Sequence, residues 1–259
     1  MRKTLWLSSL LLLVLCIPGP GLAQTGTPAA KPPLKPPLKL SDTIKTDKGD
    51  LVITFLGHAS LMFQWQGKII HVDPWTMQAD YAALPKADLI LVTHEHKDHL
   101  DLQAIAAISK PGTIIGASAN AAASLPGAVV LRVGDSTELS QVRVDTVFAY
   151  NLEHMRSPGV PYHIKGDING YVLHFGRTRV YVAGDTENIP EMAALKGVDV
   201  AFLPVNLPFT MTPEMLADAA RRLSPKILYP YHTGDTDMVK VELLLKGLPG
   251  VETRIRPMK

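Results

Sequence analysis

The chain is almost without cysteine. Cys16 is the single one in 259 residues, and it lies in an apolar N-terminal run expected to be removed. The mature chain would then hold no thiol, which excludes disulfides, thiolate nucleophiles and thiolate metal ligands together. Any metal site must be built from histidine and carboxylate. Charge of one sign is lacking too. Without Arg2 and Lys3 the basic residues fall from 26 to match the 24 acidic ones, and a near-neutral domain offers no electrostatic footprint for nucleic acid. A long hydrophobic run is also missing. Residues 5–17 are apolar, but a membrane span needs roughly 20 residues.

That short run follows Arg2-Lys3 and is broken by Pro18-Gly19-Pro20. Gly21-Leu22-Ala23 then places small residues where a signal peptidase reads. Residues 1–23 are therefore expected to be a secretory signal cleaved after Ala23, giving a periplasmic or secreted protein with no stable membrane insertion. Leu15 precedes Cys16 where a lipoprotein signal needs a small residue, so no lipid anchor is expected. Residues 24–48 read as a Pro/Lys-rich tether, because Pro32-Pro33-Leu34-Lys35-Pro36-Pro37 is stiff, extended chain that buries no core. Residues 49–259 are left as one domain, a size that supports a large core.

Within that domain strands come first. Residues 51–56, 60–66, 68–72 and 87–93 are apolar or alternating, with Gly67 at a turn. Further strands are expected at 142–148, 171–175, 179–183, 199–203, 226–229 and 251–255, with Gly176 between the second and third of these. Helices are expected at 100–108, at 212–223 behind a Thr212-Pro213-Glu214 start, and at 237–246. Two sheets packed together with helices outside satisfy this order.

The chemistry concentrates where the strand at 87–93 ends. His94-x-His96-x-Asp98-His99 places three imidazoles and a carboxylate within six residues, in a loop entering a helix. Neutral imidazole and carboxylate suit zinc and other borderline cations. This motif resembles the signature of the metallo-β-lactamase superfamily. Gly184-Asp185-Thr186 and Tyr229-Pro230-Tyr231-His232, each after a strand, resemble that family's later ligand turns. Gly57-His58-Ala59-Ser60, Asp73-Pro74 and Asn206-Leu207-Pro208-Phe209-Thr210-Met211 are most similar to the L-ascorbate 6-phosphate lactonase-like branch. N-acyl-phosphatidylethanolamine phospholipase D is a more distant likeness.

The resemblance implies an α/β fold, the αββα sandwich of the metallo-β-lactamases, and a metal-dependent hydrolase with two zinc ions, manganese or iron being the alternatives. Metal site one would use His94, His96 and a third histidine. His163, in Tyr162-His163-Ile164-Lys165-Gly166, fits the family stretch best; His154 is the other candidate. Site two would use Asp98, His99 and His232, with Asp185 bridging. A hydroxide activated between the cations would attack an ester, lactone, amide or phosphodiester, with Asp98 orienting it or passing a proton. His58 would bind substrate, assist proton transfer or make a structural hydrogen bond. Asp73 would fix the tautomer of a ligating imidazole or simply turn the chain before Pro74. Asn206, Phe209 and Thr210 are expected to line the substrate pocket, whereas Met211 is expected to be core, and His71 and His174 structural or solvent-facing. The expected partner is a small-molecule substrate, with no nucleic acid. The rival from another class is an exported metal-binding or sensing protein of the same fold without catalysis, which would gain nothing from a bridging carboxylate.

Overall fold

Strands that are apolar on both faces need a partner layer on each side, and this requirement organises the molecule. The structure, a computed structural model, describes residues 40–259. The expected signal at 1–23 and the tether up to residue 39 lie outside the described residues. The first sheet has seven strands in sequence order: β1 (Ser41–Thr46), β2 (Gly49–Gly57), β3 (Ser60–Trp65), β4 (Lys68–Val72), β5 (Leu89–Val92), β6 (Ile114–Ala117) and β7 (Val129–Val130). β1 to β4 are antiparallel, and β4 to β7 run parallel. Helices α1 (Leu102–Ile108) and α2 (Ala119–Ala122) follow β5 and β6.

The second half begins with β8 (Ser136–Leu139) and β9 (Val142–Ala149), then a two-stranded ribbon, β10 (Met155–Ser157) and β11 (Val160–Pro161). β12 (Ile168–Phe175), β13 (Thr178–Val182), β14 (Val200–Pro204), β15 (Ile227–Tyr231) and β16 (Glu252–Thr253) follow, with α3 (Pro213–Leu223) and α4 (Met238–Leu245) inserted after β14 and β15. The second sheet has the order β16-β15-β14-β13-β12-β9-β8 and is parallel from β13 to β16.

Residue alternation assigns the layers. Along β5, Leu89 and Leu91 enter the core between the sheets, while Ile90 and Val92 face α1 and α2. Along β14, Val200 and Phe202 enter that same core, while Ala201 and Leu203 face α3 and α4. This is the four-layer helix-sheet-sheet-helix sandwich of the metallo-β-lactamase fold. Its centre is aromatic: Phe202 stacks on Tyr229 at 5.0 Å between ring centroids, and Phe55 lies 5.0 Å from Tyr229. The start read at Thr212 is capped as such chemistry requires, and the helix expected from residue 100 begins two residues later behind its own cap. Thr212 accepts from the Met215 amide, and Asp101 accepts from Gln103 and Ala104.

The expected tether runs too far. Residues 41–46 are not linker but β1, paired with β2 from Ser41↔Thr54 to Thr46↔Gly49, so the sheet reaches back at least to Ser41. The strand carries one apolar residue, Ile44, and its alternate residues are exposed. Such a charged edge, with Lys45 bonded to Asp50 at 2.8 Å, gives no hydrophobic alternation to read. Asp42 pins it down. Its carboxylate receives Arg256 Nη2 at 2.8 Å, Arg254 Nη1 at 3.3 Å and the Tyr229 hydroxyl. Burial opposes ionisation there, but Tyr229, Arg256 and Arg254 outweigh it and hold the carboxyl below its usual 3.8.

Replacing Asp42 with Ala should therefore destabilise the fold by roughly 2 kcal/mol at pH 7, the scale of hydrogen bonds to a charged group. Because the folded pKa is depressed, the contribution is complete above about pH 4 and is lost as pH falls further. Urea midpoints of both proteins at pH 7 and pH 3 check this: the gap should narrow at the lower pH.

Candidate metal centre

The cluster sits where strands of both sheets end. β5 delivers Thr93 to His99, β13 delivers Gly184-Asp185, β15 delivers His232, β4 delivers Asp73 and β2 delivers His58. A side chain just beyond a strand's carboxyl end is held by the sheet yet free to face a crevice, the usual site position in such sheets. Gly184 makes one of these turns possible. Its φ is +67°, and a Cβ there would lie 2.7 Å from the Asn169 carbonyl.

Three groups of ligand atoms converge. His94 Nε2 is 3.0 Å from His96 Nδ1, which is 3.3 Å from His163 Nε2. His232 Nε2 and His99 Nε2 each lie 3.6 Å from Asp98 Oδ2. Asp185 lies between, 3.4 Å from His99, 3.4 Å from His232 and 3.5 Å from His163. Metal–ligand bonds near 2.0–2.1 Å at tetrahedral angles place ligand atoms roughly 3.3 Å apart, so these separations fit the edges of a metal coordination shell. A second observation agrees. His99 Nε2, His232 Nε2 and Asp185 Oδ1 are buried without a hydrogen-bond partner among the described residues. Orphaned polar atoms of this kind are costly unless something else binds them, and a divalent cation fits the donor set.

Each buried ring is turned by its other nitrogen. His99 Nδ1 and the Asp73 carboxylate are 2.8 Å apart, and Asp73 also receives the Thr93 amide and hydroxyl at 2.8 Å. His163 Nδ1 and its amide both reach Asn151 Oδ1, at 2.8 and 2.9 Å. His94 Nδ1 is 3.0 Å from Thr93 Oγ1. These partners aim the remaining nitrogen at the centre. Protonation states follow. Burial pushes His163 down to about 4 and His94 well below its usual value. Burial opposes the charge on Asp185, but His232, His99 and His163 hold it well below the carboxylate range. Neutral imidazoles and ionised carboxylates are the ligating forms.

The structure places His163, and not His154, against His94 and His96. His154 turns away and pairs through Nδ1 with Glu187 at 2.6 Å. His58 Nε2 is 3.0 Å from Asp98 Oδ2, its ring 3.8 Å from that of His232. Burial lowers its pKa, leaving it neutral and able to accept a proton. A cavity of about 380 Å³ opens over the cluster, lined by His58, Asp98, Asn206 and Phe209 among others. Thr210 does not line it, contrary to expectation. It is fully buried, accepts from the Asn206 amide at 2.8 Å and donates to the Asn206 carbonyl, bracing the loop that presents Asn206 and Phe209. His71 is buried and neutral, and Met211 is core, as expected.

Sequence reading missed three residues here. Arg156 and Tyr162 line the cavity. Glu187, fully buried, accepts the amides of Leu152, Glu153 and His154 at 2.6–2.8 Å and the Asn151 side chain at 3.1 Å. Glu187 follows Gly184-Asp185-Thr186 directly, and that position was the available signal.

Comparison with known proteins agrees with this geometry. The model of the family described as "Beta-lactamase superfamily domain" matches residues 52–232. A UPF0173 metal-dependent hydrolase of Thermococcus kodakarensis is 33% identical over 196 residues, covering 70% of this chain and 83% of the relative. A crystal structure from Parabacteroides distasonis, named for a metal-dependent hydrolase, shares 48% identity and a TM-score of 0.81, covering 85% of this chain and 99% of that one. A metallo hydrolase of Ignicoccus hospitalis shares the fold, with a TM-score of 0.67 at 22% identity over 81% of this chain and 96% of that one. The chain belongs to the beta-lactamase superfamily.

Two outcomes are expected. His163→Ala should lower metal occupancy, measured by elemental mass spectrometry, while His154→Ala should leave it intact. In addition, burial opposes the charged form of His99, yet Asp185 and Asp73 raise its pKa well above 6.5. The metal-free protein thus holds a proton there at pH 7 that a cation must displace, so metal affinity rises with pH. Calorimetry in buffers of different ionisation enthalpy should register proton release on loading.

Proposed function

We propose that this member of the beta-lactamase superfamily is an exported hydrolase holding two divalent ions, most simply zinc, and acting on an ester, lactone, amide or phosphodiester of a small molecule. The chain is a metal-dependent hydrolase, as its relatives are named. The motifs around His58, Asp73 and Asn206 support placement near the L-ascorbate 6-phosphate lactonase-like branch. Export rests on Arg2-Lys3 and the apolar run before Ala23; the mature protein would be periplasmic or secreted.

The observation that carries the reading is the convergence of orphaned His99 Nε2, His232 Nε2 and Asp185 Oδ1. His94, His96 and His163 would hold one ion, Asp98, His99 and His232 the other, and Asp185 would bridge them. Bound there, divalent ions would lower the pKa of water from about 15.7 toward 7 and polarise the scissile group. The chain's own residues do the rest. Asp98, a third exposed at its side chain, orients the attacking water and takes its proton. His58, whose Nε2 is 3.0 Å away, donates a hydrogen bond to the Asp98 carboxylate or, once Asp98 is protonated, relays that proton toward the leaving group. Asn206 and Phe209 confine the substrate in a cavity of the size small ligands occupy.

The test is metal content per chain in the wild type and Asp185→Ala, with hydrolysis of 4-nitrophenyl acetate and bis(p-nitrophenyl) phosphate. Two ions in the wild type, fewer in the variant and a matching loss of turnover are expected. Asp98→Ala should lower kcat by at least about 10²-fold, the scale of general base catalysis, with the melting temperature little changed. Metal uptake without any hydrolysis would favour a binding protein that kept the fold.

A further inference from the structure

The ribbon of β10 and β11 hangs over the mouth of the metal centre and carries one side chain that the hydrolytic reading does not use. Arg156 lines the cavity together with Tyr162 and Phe209. The register of the ribbon slips there: Met155 pairs with Pro161 and Ser157 with Val160. Arg156 is thus the extra residue of a bulge, a device that re-aims a side chain and recurs beside active sites.

Its guanidinium makes no ion pair among the described residues, and of the arginines so placed it is the one that lines this cavity. Arg143, Arg177, Arg222, Arg254 and Arg256 are each paired with an aspartate or glutamate. The two carboxylates lining the cavity, Asp98 and Asp185, face the imidazoles of His58, His99, His163 and His232 at 3.0–3.5 Å rather than Arg156. The ribbon is also firmly based. Glu187 fixes the amides of residues 152–154 at its root, and Tyr162 packs edge-on against Phe209 at 5.1 Å. A permanent cation with five donors in a planar fork suits a phosphate or carboxylate bidentately.

We propose that Arg156 recognises an anionic substituent, phosphate or carboxylate, carried by the substrate away from its scissile bond, and so favours molecules bearing that charge over otherwise identical ones lacking it. The Tyr162–Phe209 pair supplies the apolar wall between that group and the centre. The proposal rests on the hydrolase reading only in taking this cavity as the substrate site.

Three sugar acids identical at C1 to C5 test it by calorimetry on the metal-loaded protein. Gluconate is neutral at C6, glucarate bears a carboxylate there, and 6-phosphogluconate bears a phosphate. The wild type should bind at least one of the two charged-C6 acids about tenfold or more tightly than gluconate, the scale of a charge-assisted hydrogen bond. Which acid gains identifies the group. Arg156→Ala should shrink the difference below about threefold, and Arg156→Lys should keep part of it; metal content and melting temperature check that the variants fold. No preference in the wild type, or a preference that survives in Arg156→Ala, overturns the proposal. Bis(p-nitrophenyl) phosphate hydrolysis by the same wild-type sample separates the two claims. Its absence counts against the hydrolase, whereas a missing charge preference beside intact turnover counts against Arg156 alone.

Discussion

A buried imidazole has two nitrogens and can leave only one of them for a metal. The centre depends on that constraint. His99 is committed through Nδ1 to Asp73, His163 to Asn151 and His94 to Thr93. Once those nitrogens are held, the free ones can point only inward, toward one another and Asp185. The cluster is therefore preorganised by residues that touch no ion, and desolvation of the rings is offset by hydrogen bonds made away from the centre.

Holding such groups at strand ends costs backbone strain. His58, Asp73 and His232 have φ of 52°, 46° and 48°, in the left-handed region that non-glycine residues avoid at a cost of order 1 kcal/mol each. Each stands just past a strand whose last residues are buried: Leu56 before His58, Val72 before Asp73 and Tyr231 before His232. Burial of those neighbours and ladder bonds on both sides over-determine the turn. Tyr231 adds a direct link, accepting the Gly184 amide at 2.8 Å and so bracing the turn that delivers Asp185. The strained turns persist because the aromatic core between the sheets is too tightly packed to let the strands shift.

This division explains what the sequence disclosed. β5, β13 and β15 end in buried apolar residues, so these strands were legible, and the ligands that follow them were found by likeness to the family's motifs. His163 was separable from His154 only by family likeness. In three dimensions the difference is plain, since Asn151 holds the first ring inward and Glu187 holds the second outward. β1 was missed because an edge strand with one apolar residue has no period-two signal. Thr210 was misplaced because a hydroxyl that braces a loop and one that faces a substrate look alike in sequence. Arg156 was missed for a related reason: a single arginine in a polar ribbon acquires meaning only when the bulge turns it over a cavity.

Glu187 ties these parts together. Its carboxylate holds the root of the ribbon and the side-chain amide of Asn151, while Asn151 Oδ1 holds His163. Burial would push its pKa up, but the amides of residues 152–154 and Asn151 outweigh this and keep it ionised. One buried charge thereby fixes both a metal-facing histidine and the segment that carries Arg156. The orientation of the ligand and the height of the ribbon over the cavity share a single anchor, so a change that loosened one would loosen the other. Residues 155–159 of the ribbon are exposed and make no hydrogen bond to the ligands, whereas Asn151 and the amides of residues 152–154 are tied through Glu187 to His163.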